Sequence, residues 1–187
     1  MNRLLSRAPH TVLIDGNEHA INSDFRDCML TVLAIESEEL VQMEKATLVM
    51  CNMFGCERFW PENTAEAVNQ ALQFLSGGRE RKQQESLKLF DWDTDAERLN
   101  SALLAQGINL DEQDYMHWWT FLARIPDLPE SGFTRIVYLR YQNQRGKLTK
   151  EERKECDLIG WHVIRLEPEP EDNSDDEDIW RMLQGGE

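Results

Sequence analysis

Six stretches of this chain carry apolar residues at steps of three and four, each bounded by capping or breaking residues. That pattern restricts the fold to packed short helices. Asn22, Ser23 or Asp24 can cap a first helix, with Phe25, Cys28, Val32 and Ile35 on one face. Ser37 can cap a second, with Leu40, Met43, Ala46, Met50 and Met53 inward and Gly55 as its stop. Pro61 opens a third near Asn63; Ala65, Val68, Leu72 and Leu75 line it and Gly77-Gly78 end it. Asp93 can cap a fourth that bears Ala96, Leu99 and Leu103 and closes at Gly107. Asp111 can start a fifth, with Leu110 stapled to Tyr115 and with Tyr115, Trp118, Trp119 and Leu122 as its apolar face. Pro126 and Pro129 bracket the next turn, and Phe133, Ile136, Val137 and Arg140 mark a sixth helix.

A capping box, Thr149-Lys150-Glu151-Glu152, predicts a seventh helix, and Trp161 to Leu166 reads as a short strand or an extended lead. One β element is legible upstream. Thr11-Val12-Leu13-Ile14 is β-branched and apolar, Asp15-Gly16 is a turn dipeptide, and His19 to Asn22 can return as the second strand. A lone hairpin is marginal in water and must pack on the helices. The predicted fold class is therefore mainly α: a compact helical domain of about six to seven helices with a small N-terminal β-hairpin and a disordered acidic C-terminal tail.

Charge divides the chain. Residues 167–187 hold nine acids and Arg181 alone as a base, so −8 of the total −15 lies in that tail. Like charges at this density repel, which predicts disorder over 168–178. The helical domain is then 1–166, with the polar Arg79–Lys88 stretch as a possible subdivision, and 167–187 is the flexible tail. The opposite bias appears between Arg135 and Lys154, where seven bases face Glu151 and Glu152. Such overall acidity argues against nucleic-acid binding and against an anionic membrane surface. No apolar run approaches the ~18 residues of a membrane span. No secretory h-region follows Met1, so Cys28, Cys51, Cys56 and Cys156 are expected as reduced thiols.

Several constellations invite a catalytic or metal reading, and each has a plainer one. Asp91-Trp92-Asp93-Thr94-Asp95 starts like a calcium loop, but Ala96 stands where the sharp turn needs Gly and Ala102 where a bidentate Glu is needed. Helix capping explains those acids. Cys51 and Cys56 make one pair, while a structural zinc site needs four ligands. Asp114 and His117 sit at i,i+3 of the predicted fifth helix, with no nucleophile in a recognisable elbow. Phosphate-binding glycine motifs are absent. No catalytic residue, metal or cofactor is expected. Trp118-Trp119 is unusual, since neighbours on a helix lie ~100° apart. Core packing accounts for the pair, while one ring can broaden an apolar face that meets a partner.

The order of motifs resembles the bacteriophage Gp15 family. Val12-Leu13-Ile14-Asp15-Gly16 is followed by Ile21-Asn22-Ser23-Asp24-Phe25-Arg26 and then Pro61-Glu62. Leu89-Phe90-Asp91-Trp92-Asp93, Asp95-Ala96 and Gly107-Ile108-Asn109-Leu110 come next. The most specific block is Tyr115-Met116-His117-Trp118-Trp119-Thr120-Phe121, running on through Leu128-Pro129-Glu130 to Phe133 and Arg140. The resemblance covers roughly residues 1–155, and the acidic tail departs from it. It implies a non-catalytic tail assembly chaperone in the host cytoplasm. Its partners would be the tape-measure protein and the tail-tube protein. A minor structural or connector protein of the tail is the alternative. Tyr115, Trp118, Trp119, Arg140 and Trp180 are the expected partner-binding residues.

Overall fold

The structure is a computed structural model that describes residues 5–55, 64–79 and 87–167. Two strands, β1 (Thr11–Ile14) and β2 (Asn17–Ala20), pair antiparallel with Ile14 opposite Asn17. Asp15 and Gly16 alone make the turn, both at positive φ (49° and 75°), the two-residue hairpin geometry that matches strand twist. The return strand therefore starts two residues before the expected His19. The hairpin packs on the third helix: Ile14 is fully buried, and the Asp15 amide donates to Glu66 at 3.0 Å.

Helix α1 (Phe25–Glu36) starts as expected, with Asp24 accepting from the Arg26 amide and Phe25 and Cys28 inward. Helix α2 (Gln42–Phe54) starts later than the sequence suggests. Ser37 closes α1 instead of opening α2, its amide donating to the Leu33 carbonyl, and Glu44 reaches back to the Val41 amide at 3.0 Å. Met53 is fully buried while Met43 is 79% exposed, so the expected methionine face is interior only toward its C-terminal end.

Helix α3 (Thr64–Leu75) buries Ala67, Ala71, Phe74 and Leu75. Its inward stripe is turned about one position from the expected one, and Ala65 is exposed. Pro61 and Asn63, expected at its start, lie outside the described residues. Helix α4 (Ala96–Ala105) follows Asp95 rather than Asp93, and buries Leu99, Ala102 and Leu103.

The expected fifth helix from Asp111 is the largest departure. A 3-10 turn over Leu110–Glu112 is capped by Asn109, the chain then extends, and α5 (Trp118–Arg124) begins only after His117. Tertiary hydrogen bonds hold the extended piece. The Phe25 amide donates to the Met116 carbonyl and the Trp118 amide to the Ser23 carbonyl, while the Met116 amide donates to Asp24 Oδ2. Those backbone groups pair with the entry to α1, so they are unavailable to a helix.

A 3-10 turn over Ile125–Asp127 leads to α6 (Gly132–Gln144), capped by Ser131. Helix α7 (Lys150–Ile159) carries the expected capping box, with Thr149 Oγ1 accepting from the Glu152 amide and Glu152 accepting from the Thr149 amide. Thr149→Ala is expected to cost about 1 kcal/mol, read as a lower urea midpoint with an unchanged slope. Residues 161–165 form a short helix, α8 (Trp161–Arg165), not a strand.

One apolar cluster runs from Ile14 and Phe25 through Met53, Phe74 and Leu103 to Trp118, Phe121 and Phe133. It draws on residues both before and after the Arg79–Lys88 stretch, so the main core is continuous across that point. A smaller cluster of Leu139, Cys156 and Ile164 lies between α6, α7 and α8. No helix among the described residues is long and apolar enough to cross a membrane. Cys28 and Cys156 are buried free thiols whose titration burial pushes up. Cys51 is disulfide-bonded, which corrects the expectation of a reduced thiol there, and Cys56 lies outside the described residues.

Candidate binding cleft

The segment between α3 and α4 organises the site. Asp91 Oδ1 accepts from the Asp93 and Thr94 amides at 3.1 and 3.0 Å, a side chain closing its own turn. Lys88 Nζ donates to Asp91 Oδ2 at 2.7 Å. This run of acids therefore serves to shape a turn. Among the described residues no group of three His, Cys, Asp or Glu is placed to hold a metal ion.

Asp95 turns inward to a buried Arg140. Both of its oxygens receive the guanidinium, with Oδ1 at 3.1 Å from Nη2. Arg140 Nε and Nη2 donate to the Val163 carbonyl at 3.0 and 2.8 Å, and Nη1 donates to the Leu89 carbonyl at 3.2 Å. Those bonds use the full donor set of a guanidinium, so the buried cation is satisfied. One side chain of α6 thus ties the 87–95 segment to α8.

With the turn pinned, Phe90 and Trp92 extend an aromatic row. Phe90 stands edge-on to Trp92 at 4.8 Å and lies 5.9 Å from Phe133. Trp92 lies 6.0 Å from Trp118 and 6.3 Å from Phe121, and Phe121 stacks on Phe25 at 5.2 Å. Trp92 forms part of the wall of four clefts, one of them, about 230 Å³, lying along Val32, Ile35, Leu72 and Trp118. The first, about 690 Å³, is lined by Phe90, Ile125, Pro126, Phe133 and Val137, with Glu36 and Lys88 at its lip. A second, about 620 Å³, shares Phe90, Ile125 and Pro126 and adds Gly78, Trp119 and Leu122. A third, about 300 Å³, runs between α1 and α4 along Met29, Leu30, Leu33, Ala96 and Leu99.

Electrostatics at the lip are local. Burial pushes the Glu36 carboxyl above its ordinary value, and the Lys88 charge draws it back. Burial opposes ionisation of Asp91 too, but the Lys88 hydrogen bond and the Thr94 and Asp93 amides win and bring it from 3.8 to about 2. A depressed carboxylate stabilises the fold fully above pH 3.8, and that contribution is lost as pH falls through about 2. Urea midpoints between pH 5 and pH 2 are expected to fall less steeply for Asp91→Asn than for the wild type.

The partner-binding residues expected from sequence are not brought together. Trp118 is 1% exposed and Arg140 is fully buried, so both belong to the interior, which corrects their placement at a surface. Their indole and guanidinium polar groups explain why they tolerate burial: Trp118 Nε1 donates to the Leu75 carbonyl at 2.8 Å. Trp119 is half-buried on the wall of the second cleft, its Nε1 donating to the Phe74 carbonyl at 2.8 Å. The two indoles thus take consecutive carbonyls at the end of α3, where helical partners run out. Tyr115 is 50% exposed but away from the clefts, its hydroxyl sharing a 2.9 Å hydrogen bond with Ser23. Trp180 lies outside the described residues.

His117 is the N-cap of α5. Its Nδ1 accepts from the Trp119 amide at 3.0 Å, and Nε2 lies 3.0 Å from the Pro9 carbonyl, which makes Nε2 the protonated nitrogen. Asp114 is not on a helix with it, so the expected i,i+3 relation does not arise. Phe90, Trp92 and Phe133 are the residues that sequence reasoning missed as cleft walls. Their signal was present in Leu89-Phe90-Asp91-Trp92-Asp93, where alternating aromatics and acids separate an apolar side from a turn-making side.

Fold and cleft define a small α-helical protein with an apolar, aromatic-walled hollow. The family model described as Bacteriophage Gp15 protein matches residues 4–159, from before β1 to the end of α7. The chain belongs to that family and is a bacteriophage protein. Neither a curated protein nor a solved structure matches it.

Proposed function

We infer that this protein assists assembly of the phage tail by binding another polypeptide, without catalysis and without a cofactor. The occupant fitting the Trp92-centred hollow is an apolar helical face, the kind a long tape-measure protein exposes before packaging. On this reading the protein is a tail assembly chaperone of the host cytoplasm. It keeps the tape-measure protein covered and helps recruit tail-tube protein. Its net charge of −15 keeps such a complex soluble. The observation that carries the reading is one tryptophan shared as a wall by four clefts in a bacteriophage Gp15 protein.

Family membership supports a second reading equally, a connector-type structural protein retained in the particle. Co-expression with the phage's tape-measure protein is expected to give a complex that survives affinity capture, and Trp92→Ala is expected to weaken it. A thermal melt of the variant separates lost binding from lost fold. Quantitative mass spectrometry of purified virions distinguishes the readings: the chaperone is absent, while the connector is present at fixed stoichiometry. Failure to capture the tape-measure protein under any salt condition overturns the chaperone assignment.

A further inference from the structure

The sequence places seven bases between Arg135 and Lys154, and the structure buries one of them and pairs another at the surface. Arg140 is buried against Asp95, and Arg135 is paired with Glu155 through two nitrogens. Five remain: Arg145, Lys147, Lys150, Arg153 and Lys154, all exposed. None forms an ion pair with another described residue. They crowd the α6–α7 turn and the first turns of α7, and the positive end of α7 adds to them. Residues 145–154 carry +3 net, whereas the other residues of 1–166 carry −10. This concentrated positive patch therefore sits on an otherwise acidic body.

We propose that this turn is the docking site of the chain's own C-terminal segment, residues 168–187. Charge selects the occupant. The segment carries eight acids against Arg181, and seven of those acids fall between Glu169 and Asp178. Elsewhere on the body it meets net repulsion. Connectivity selects it too. The chain leaves the described structure at Glu167, just after α8, and α8 packs on α7. Residues 168–178 can span up to about 36 Å, against about 15 Å for the length of α7. Covalent attachment supplies an effective concentration on the order of millimolar, which an acidic partner in solution seldom matches. Lys150, Lys154 and Leu158 recur at four-residue steps along one face of α7. Leu158 is 88% exposed and offers Ile179 or Trp180 an apolar contact beyond the acids. The contact is independent of the tail-assembly reading, and within that reading an acidic partner surface would have to displace the segment.

Zero-length carbodiimide cross-linking of the full chain tests it, because it joins a lysine to a carboxylate only on direct contact. In 0.1 M salt, Lys147, Lys150 and Lys154 are expected to link to acids 169–178 within one chain, while Lys45 and Lys88 do not. In 1 M salt the screening length falls to about 3 Å and those links are expected to be lost. R145E/R153E removes charge without removing a cross-linkable lysine, and the same loss is expected there, with a melting curve reporting on its fold. Links spread evenly over all lysines overturn the proposal. So do links found only between two chains, and links that persist in both 1 M salt and R145E/R153E.

Discussion

Arg140→Met is expected to lower the unfolding free energy by about 3–5 kcal/mol, the cost of leaving one half of a buried ion pair behind. The substitution keeps a long apolar stem on α6 but leaves the Asp95 carboxylate, which is 1% exposed, with the Asp91 amide at 3.0 Å and Arg98 at 3.5 Å in place of its bidentate partner. It strands the Val163 carbonyl, which accepts two of the guanidinium's bonds, and the Leu89 carbonyl. Arg140→Lys is not conservative here. An ammonium has three donors and cannot span Asp95, Leu89 and Val163 in one plane. Asp95→Leu combined with Arg140→Met removes both charges, so the pair is expected to cost less than the two single substitutions added together. Urea unfolding of the four proteins measures the cycle. Strict additivity would show that the two charges do not meet in solution.

Trp118→Ala is the second large effect, about 3–5 kcal/mol for a buried aromatic ring truncated to a methyl group. The indole lies against Phe121 at 5.6 Å and Trp92 at 6.0 Å, so its loss opens a cavity at the meeting point of α1, α3 and α5. Trp118→Phe retains most of the apolar area and loses the bond to the Leu75 carbonyl, which is expected to cost about 1–2 kcal/mol. The ordering Ala, then Phe, then wild type should appear in thermal midpoints. A Trp118→Ala protein that melts like the wild type yet fails to capture its partner would put this ring back on the surface.

Comparing those two residues with their sequence signals shows where legibility ends. Trp118 and Arg140 are conspicuous in the primary structure, and conspicuous residues read as surface contacts. Whether an indole or a guanidinium is buried depends on acceptors far along the chain. Leu75 is 43 positions from Trp118 and Val163 is 23 from Arg140. Trp92 was passed over for the converse reason. The acids on either side of it account for themselves as turn and cap, and the local alternation marks an apolar side without showing that its ring lines four clefts.

Caps show the same limit at shorter range. Asp24 and Thr149 act as their neighbours suggest, because each side chain accepts from a backbone amide two or three residues further on. Asp93 and Ser37 do not cap α4 and α2: Asp95 and Val41 precede those helices, and neither makes a side-chain cap bond. Asp95 was drawn to Arg140, and Ser37 was taken up in ending α1. Leu110 to Leu122 has helical periodicity throughout, yet its middle is extended because residues 116–118 bond to residues 23–25.

By itself the sequence determined what short-range chemistry controls. That comprises the helical class, the Asp15-Gly16 turn, the caps at Asp24 and Thr149 and the family. Tertiary structure alone decided which aromatic rings are inside, that His117 caps a helix, and that residues 161–165 coil rather than extend. It also decided that four clefts share Trp92 and which five of the seven bases lack an ion-pair partner among the described residues. Each of these depends on groups dozens of residues apart, whose pairing is set when burial forces every polar atom to find a partner.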